Sequence, residues 1–283
     1  MRDAYSEKEF EMNNKRKVVF KVTPEIDIHT IEATTYQMRN FYRQFADGFF
    51  SVLDVMNYIQ HQQIVRMAKK GYHLLDVCCG RGLLLPMLRY ERKELGSYTG
   101  VDIEPRNAKF KAQRVTDGKE IPGDYYPFEV NFVESNVSEM ASHLHRKFDF
   151  IVYTSSIEHM HKDAGRQSLF ECRKVSYPGT RLVITCPNTP ENQDGYDTQY
   201  KAHVYEWKRS ELLFELESAG FKVLDEYGIL IDKKTLYEQG EKIGIMPTIK
   251  VIEKHIPSEW LLPVFAPLFP EQSKEIAIIA EAI

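Results

Sequence analysis

Several groups of residues in this chain have types and spacings that suit chemistry. The stretch Leu74 to Gly82, LLDVCCGRG, ends an apolar run in an acid and then sets two cysteines and two glycines around an arginine. Gly80 and Gly82 carry no side chain, so the backbone can turn tightly and a ligand can approach the N–H groups that open the next helix. Asp102 ends the next apolar run. An acid at that place accepts hydrogen bonds from both hydroxyls of a ribose. Further on, SSIEHMH offers Glu158, His159 and His161, and PNTPENQDGYDTQYKAHVYEW offers Tyr200, His203, Tyr205 and Trp207. Histidine suits a general base near neutral pH. The glycines and the acid together imply a nucleoside-bearing cofactor; the plain alternative is a tight strand-to-helix turn with a solvent-facing acid.

A nicotinamide dinucleotide calls for a third glycine, and Leu85 stands there. Asp76 sits inside the turn, where its charge repels a pyrophosphate and suits a cation such as the ammonium of an amino acid. A ribose joined to a cationic amino-acid end describes S-adenosylmethionine.

These residues need a scaffold. From Tyr72 onward, short apolar runs alternate with helical patterns: HLLDVC, SYTGVDI, PFEVNFVES, FDFIVYTSS, TRLVITCPN and FKVLDEYGIL read as strands. LLLPMLRYERKE, EPRNAKFKAQRVT, VSEMASHLH, DAGRQSLFECRKVS and KRSELLFELESAG read as helices. KEIAIIAEAI is a final apolar strand. The alternation predicts an α/β fold: a Rossmann-like, doubly wound, seven-stranded, mainly parallel sheet. It would carry an N-terminal helical cap and a helical insertion before the last strand. Residues 1–70 are expected to form an arm, loose to about residue 28, and two cap helices. Residues 71–231 form the core, 232–272 a helical insertion covering the substrate, and 273–283 the last core strand. The first cap helix is rich in aromatics, Tyr42 among them. That composition suggests a cover over the cleft, with core packing as the alternative.

The chain has 283 residues, 43% of them hydrophobic, enough for a full core. Its net charge of −4 lacks the basic bias of a duplex-DNA binder. No apolar run is long enough to span a bilayer and the N-terminus has no apolar signal core. A soluble, cytoplasmic protein is expected. Four cysteines occur without any Cys-x-x-Cys spacing, so neither a disulfide framework nor a metal is expected.

In combination, these motifs resemble the class I S-adenosylmethionine-dependent methyltransferases, of the methyltransferase-domain type 11, 12 or 23. LLDVCCGRG is similar to their first motif, usually D-x-G-x-G-x-G; GVDIEP, NFVESNVSEM, FDFIVYTSSIEHM and LFECRKVSYPGTRLVITCPN are similar to the segments that follow. The resemblance spans roughly residues 70–230. It implies that Asp76 and the backbone around Cys78 and Gly80, with Gly82, hold the methionine end, and that Asp102 holds the ribose. It also implies that Ile103 packs on the adenine, Asn136 and Val137 meet its edge, and Thr154 and Ser155 line the floor beneath the sulfonium. Two departures stand out. Cys78 replaces the first glycine, so the turn must accept a Cβ or Cys78 must have negative φ. A catalytic thiol at Cys78 or Cys79 is the alternative to a small tolerated side chain. Asn136 replaces an acid, and its amide oxygen can accept from the adenine amino group.

The reaction the resemblance implies is in-line displacement at the sulfonium methyl, so the protein aligns the nucleophile and removes its proton where needed. Glu158, His159 and His203 are the candidate catalytic groups; the alternative is polar residues that shape a pocket or pack a loop. Tyr42, Tyr200, Tyr205 and Trp207 are candidates for a substrate wall, or for ordinary lid packing. YTSS lacks the D/N-P-P-Y/F pattern of amino-group DNA methyltransferases, and the Cys186–Pro187 pair reverses the Pro-Cys of cytosine enzymes. The expected acceptor is an O or N atom of a small molecule such as a specialised metabolite, with no DNA and no membrane partner and with a homodimer allowed. RNA or peptide acceptors, or a non-catalytic regulatory subunit that binds the cofactor, are the alternatives.

Overall fold

A computed structural model of the chain describes residues 6–11, 17–22, 52–80, 82, 84–90, 94–104 and 128–283. The first aromatic cap helix with Tyr42, and the helix expected after Pro105, lie outside the described residues.

Two antiparallel strands open the chain, β1 (Ser6–Glu11) and β2 (Lys17–Val22). The sequence predicted a loose arm here. In the ladder register Glu7 lies opposite Lys21, Glu11 opposite Lys17, and Phe10 opposite Val18. Helix α1 (Val52–Met67) follows, then β3 (His73–Val77), α2 (Leu84–Tyr90), β4 (Ser97–Asp102), β5 (Glu129–Glu134) and β6 (Phe148–Thr154). Next come α3 (Lys162–Lys174), β7 (Ser176–Pro187), α4 (Arg209–Ser218) and β8 (Phe221–Leu230). The chain ends with α5 (Lys233–Lys242), α6 (Met246–Ile252), α7 (Ser258–Phe265) and β9 (Glu275–Ala282).

Seven strands form one sheet in the order β5-β4-β3-β6-β7-β9-β8. All neighbours are parallel except β9, which runs antiparallel to both β7 and β8. Because strand side chains alternate between faces, Leu74, Phe150, Val152 and Val183 face α1 and α2. Leu75, Val77, Ile151, Tyr153 and Ile184 enter the opposite core with α3 and α4. The sheet is therefore covered on both sides, as the run of buried residues in β3 requires. In α1, Ile64 and Val65 are buried in that first core, with Ala68 just past its end. This second cap helix is core packing at its C-terminal half, not a detachable lid.

Two expected elements differ. VSEMASHLH forms only a single 3-10 turn, Met140–His143. Strand β7 begins before Pro178–Gly179 rather than after it, because a register shift opposite Phe148 and Phe150 absorbs the turn and Gly179 takes φ 88°. The insertion builds its own core from Ile231, Leu236, Met246, Ile249, Leu261, Ala266 and Phe269. Asp232 caps α5, accepting from the Thr235 N–H at 3.0 Å and its hydroxyl at 2.6 Å. Among the described residues no helix is long and apolar enough to cross a membrane.

Candidate active site

The chain goes from β3 out to β4 and β5, then returns to place β6 on the other side of β3. That reversal opens a crevice at the carboxyl ends of β3 and β6. The turn after β3 has left-handed backbone at Cys78 (φ 55°), Gly80 (φ 50°) and Gly82 (φ 66°). Cys78 thus keeps the conformation of the glycine it replaces, at a cost of about 1–2 kcal/mol for an L-residue. A Cβ at Gly80 would find nothing nearer than the Cys78 carbonyl at 3.8 Å, so the turn faces open space. Cys79 points inward: its Sγ would lie 2.8 Å from a Cβ at Gly100, which explains the glycine inside β4. Burial, with Asp102 and Asp76 close by, pushes both thiols far up. That direction disfavours a thiolate at either position.

Asp102 receives the N–H of Gly80 on Oδ2 at 2.9 Å and the N–H of Glu104 on Oδ1 at 2.9 Å. The acid at the end of β4 therefore holds the glycine turn at the end of β3. Beside it, Ile103 is 73% exposed, an apolar side chain open at the mouth of the crevice. Asn136 is exposed, but its Oδ1 already accepts from the Ser138 N–H at 3.1 Å and the Ser138 hydroxyl at 2.9 Å. The oxygen expected to meet an adenine amino group is committed to this turn. Val137 is buried in the core. Asp76 lies under the sheet's edge of the crevice, and Tyr98 donates to its Oδ2 at 2.6 Å. Burial pushes the Asp76 carboxyl up to about 7, with Asp102 adding to the rise and Tyr98 opposing it.

On the other side, β6 ends in Thr154 and in Ser155, which is left-handed at φ 43°. The Ser155 N–H donates to the Thr185 carbonyl at 2.9 Å and hydroxyl at 3.1 Å. Thr185 in turn donates to Gln60 of α1 at 3.1 Å. Backbone strain of this kind persists only where surrounding contacts hold it, and it gathers at functional sites.

The next three residues, Ile157–His159, form a 3-10 turn. Glu158 is 2% exposed and its Oε2 has no partner among the described residues. Its carbonyl accepts from the N–H groups of Val204 at 2.8 Å and Tyr205 at 3.1 Å, which docks the later loop onto this turn. His159 Nδ1 bonds the Ala202 carbonyl at 2.9 Å, and His203 Nδ1 bonds Glu206 Oε1 at 2.7 Å. The two imidazoles meet edge to face at 5.0 Å, with one ligand atom from each of Glu158, His159 and His203 within 4.8 Å of the others. Burial and Glu206 push Glu158 up to about 8; burial, Glu158 and Glu206 do the same to Glu275.

Among the four aromatic candidates, Tyr200 is 49% exposed and packs on His203 at 5.1 Å. Tyr205 and Trp207 are not an open wall. Both are buried in the core, Tyr205 donating to Glu211 at 2.6 Å and Trp207 wedged where a Cβ at Gly165 would come within 2.9 Å. Trp207 instead packs between α3 and the Ile157–His159 turn. Sequence reasoning missed Glu206, fully buried behind His203, and Glu275; the lone signal was an acid inside each of two apolar stretches, VYEW and KEIAII.

The profile of a family described as the methyltransferase domain matches residues 53–226, more than half of the chain. No curated protein sequence matches at a significant level. Among solved structures, a SAM-dependent methyltransferase from Archaeoglobus fulgidus superposes with a TM-score of 0.52 and 22% identity over 86% of this chain and 99% of that one. The small RNA methyltransferase HEN1 gives 0.55 and 17% over 80% of this chain and 25% of that one. The [4+2]-cyclase SpnF gives 0.51 and 18% over 79% of each. At these identities the likeness is one of fold, and one of these chains is a cyclase, so the chemistry must be argued from the site.

Proposed function

We infer the reaction from one premise: the chain belongs to the methyltransferase domain family and is an S-adenosylmethionine-dependent methyltransferase. We propose that its acceptor is an oxygen or nitrogen atom of a small molecule. The bound cofactor supplies a sulfonium methyl, to whose carbon the acceptor's lone pair bonds while the carbon–sulfur pair stays on sulfur, leaving S-adenosylhomocysteine.

The residues present suit that cofactor. The open space before Gly80 admits its methionine end, with Asp76 and the backbone of Cys78 and Gly80 beside it and Gly82 closing the turn. Asp102 keeps lone pairs for two ribose hydroxyls after serving Gly80 and Glu104. The exposed Ile103 offers the adenine an apolar plate. With the Asn136 oxygen engaged, its amide NH2 and the backbone of Val137 are what remain for the adenine edge. Thr154 and Ser155 form the floor.

One observation carries the acceptor assignment. Glu158, His159 and His203 converge just past the strained Ser155, at the end of β6, where they can activate an acceptor. The net charge of −4 disfavours a polyphosphate chain, which supports a small molecule over RNA. The insertion 232–272 serves as the cover; Asn188, just after β7, donates to the Glu271 carbonyl at its end at 3.3 Å and to the adjoining Ser273 carbonyl at 2.9 Å. The test is methyl-tritiated cofactor incubated with the protein and a fractionated cell extract. Label is expected in the low-mass fraction; label confined to RNA or protein would overturn the acceptor class.

A pH dependence follows from Asp76, which faces Tyr98 and Asp102 of β4 and the thiols of Cys78 and Cys79. Its raised value means that the ligand-free fold is favoured by protonation: this group's contribution is largest below the ordinary carboxylate range and declines as pH rises to about 7. Pairing with the cofactor's ammonium needs the carboxylate. Binding below that value must therefore expel a proton, and affinity for S-adenosylhomocysteine should fall about tenfold per pH unit. Calorimetry from pH 8 to pH 6 should show a plateau and then this decline, and Asp76→Asn should flatten it.

A further inference from the structure

We propose that Glu158, His159 and His203 bind a divalent transition-metal ion whose remaining coordination positions take a hydroxyl oxygen of the acceptor. This deepens the methyl-transfer reading: the ion's role toward the acceptor rests on that reading, while the ion site stands on the cluster alone.

The hydrogen bonds decide which atoms are available. The Ala202 carbonyl can only accept, so His159 Nδ1 carries its proton and Nε2 presents a bare lone pair. Glu206 does the same for His203, holding Nδ1–H at 2.7 Å and leaving Nε2 with a bare lone pair. A carboxylate behind a histidine is the arrangement that fixes tautomer and orientation at metal sites. The third ligand is the Glu158 carboxylate, 98% removed from solvent with Oε2 unpartnered among the described residues. Leaving such an oxygen unpaired costs about 1–3 kcal/mol or more for a charged group. A cation at that oxygen removes the cost.

The distances are close to those needed. Metal–ligand bonds of about 2.1 Å put two ligands at most ~4.2 Å apart. The atoms lie within 4.8 Å, so small side-chain rotations about the 3-10 turn close the shell. Two imidazole nitrogens and one carboxylate oxygen select Mn2+, Co2+ or Zn2+ over Mg2+ and Ca2+, which take oxygen ligands. Three protein ligands leave open positions, and His159 is exposed on that side. A hydroxyl bound there loses its proton to solvent water near neutral pH, because the cation lowers its pKa. The histidines are then metal ligands and not proton acceptors, and the acceptor atom is oxygen.

The experiment uses the full chain, freed of metal by a chelator, with MnCl2, ZnCl2 and MgCl2 titrated calorimetrically and S-adenosylhomocysteine titrated separately. One Mn2+ or Zn2+ per chain is expected, with Mg2+ weaker by about tenfold or more, and Glu158→Gln and His203→Ala each weakening Mn2+ by about tenfold or more. Pulsed EPR of Mn2+ on the unmutated protein should show modulation from imidazole nitrogens, a readout that holds even where a variant fails to fold. No uptake of Mn2+ or Zn2+, no nitrogen modulation, or equal uptake by both variants would overturn the site. Mn2+ bound with nitrogen modulation but no affinity for S-adenosylhomocysteine would uphold the site and overturn the methyl-transfer reading.

Discussion

Replacing Asp102 by alanine should weaken S-adenosylhomocysteine binding by about 2–3 kcal/mol, roughly 30- to 160-fold. The carboxylate is placed to accept from ribose hydroxyls, and hydrogen bonds to a charged acceptor are worth more than neutral ones. The structure adds a second consequence that the motif alone does not carry. Asp102 also takes the N–H groups of Gly80 and Glu104, both at 2.9 Å. Removing it leaves the Gly80 N–H without its acceptor and loosens the turn that the methionine end must meet. The ligand-free variant should therefore melt lower than the parent, and Asp102→Asn, which keeps one oxygen, should fall between the two. Calorimetry and thermal melting check both parts. Unchanged affinity in Asp102→Ala would remove this residue from the site.

Gly228→Ala should have the largest effect on stability. Gly228 lies in β8, and a Cβ there would sit 2.0 Å from Ser273 Oγ, 2.3 Å from the Ala266 carbonyl oxygen and 2.8 Å from the Ala266 carbonyl carbon. Two of those atoms are backbone, so rotating a side chain does not relieve the clash. Ser273 is itself fixed, donating to the Phe269 carbonyl at 2.8 Å. The cost should reach about 3 kcal/mol, the upper end for overpacking, and the melting temperature should fall by roughly 6–12 °C for a chain of this size. Gly244→Ala is the control. Gly244 has φ 78° but nothing within 4 Å of the added carbon, so only the backbone penalty of about 1–2 kcal/mol applies. Equal melting shifts in the two variants would show that the seam between β8 and the insertion is not tightly packed.

The sheet and its helices were legible because their signals are local. Buried runs such as LLDV and FIVY, turn residues such as Gly71 and Gly220, and the spacing from Gly82 to Asp102 need no knowledge of distant chain. At Cys78 the sequence left open whether the turn accepts a Cβ or the residue takes negative φ, and the structure shows left-handed backbone, φ 55°. What escaped depended on partners far away in sequence. The β1–β2 ladder sets Glu7 opposite Lys21 and Glu11 opposite Lys17, a register that periodicity does not show. Trp207 read as a wall because it follows a polar loop, yet it is buried because Gly165, on another helix, leaves room for its ring. Asn136 read as an adenine contact, yet Ser138 two residues on takes its oxygen. Glu275 comes to the Glu158 cluster through the strand order β6-β7-β9, in which the last strand of the chain is inserted beside β7, and Glu206 comes with the loop docked on the Glu158 carbonyl.

The cleft at the ends of β3 and β6 is read as holding one cofactor, and calorimetric titration of the full chain with S-adenosylhomocysteine and, separately, NAD checks that reading. The open turn at Gly80, the paired acids Asp76 and Asp102, and the exposed Ile103 predict one equivalent of S-adenosylhomocysteine bound at micromolar strength and no heat from NAD. Tight NAD binding with no response to S-adenosylhomocysteine would contradict it.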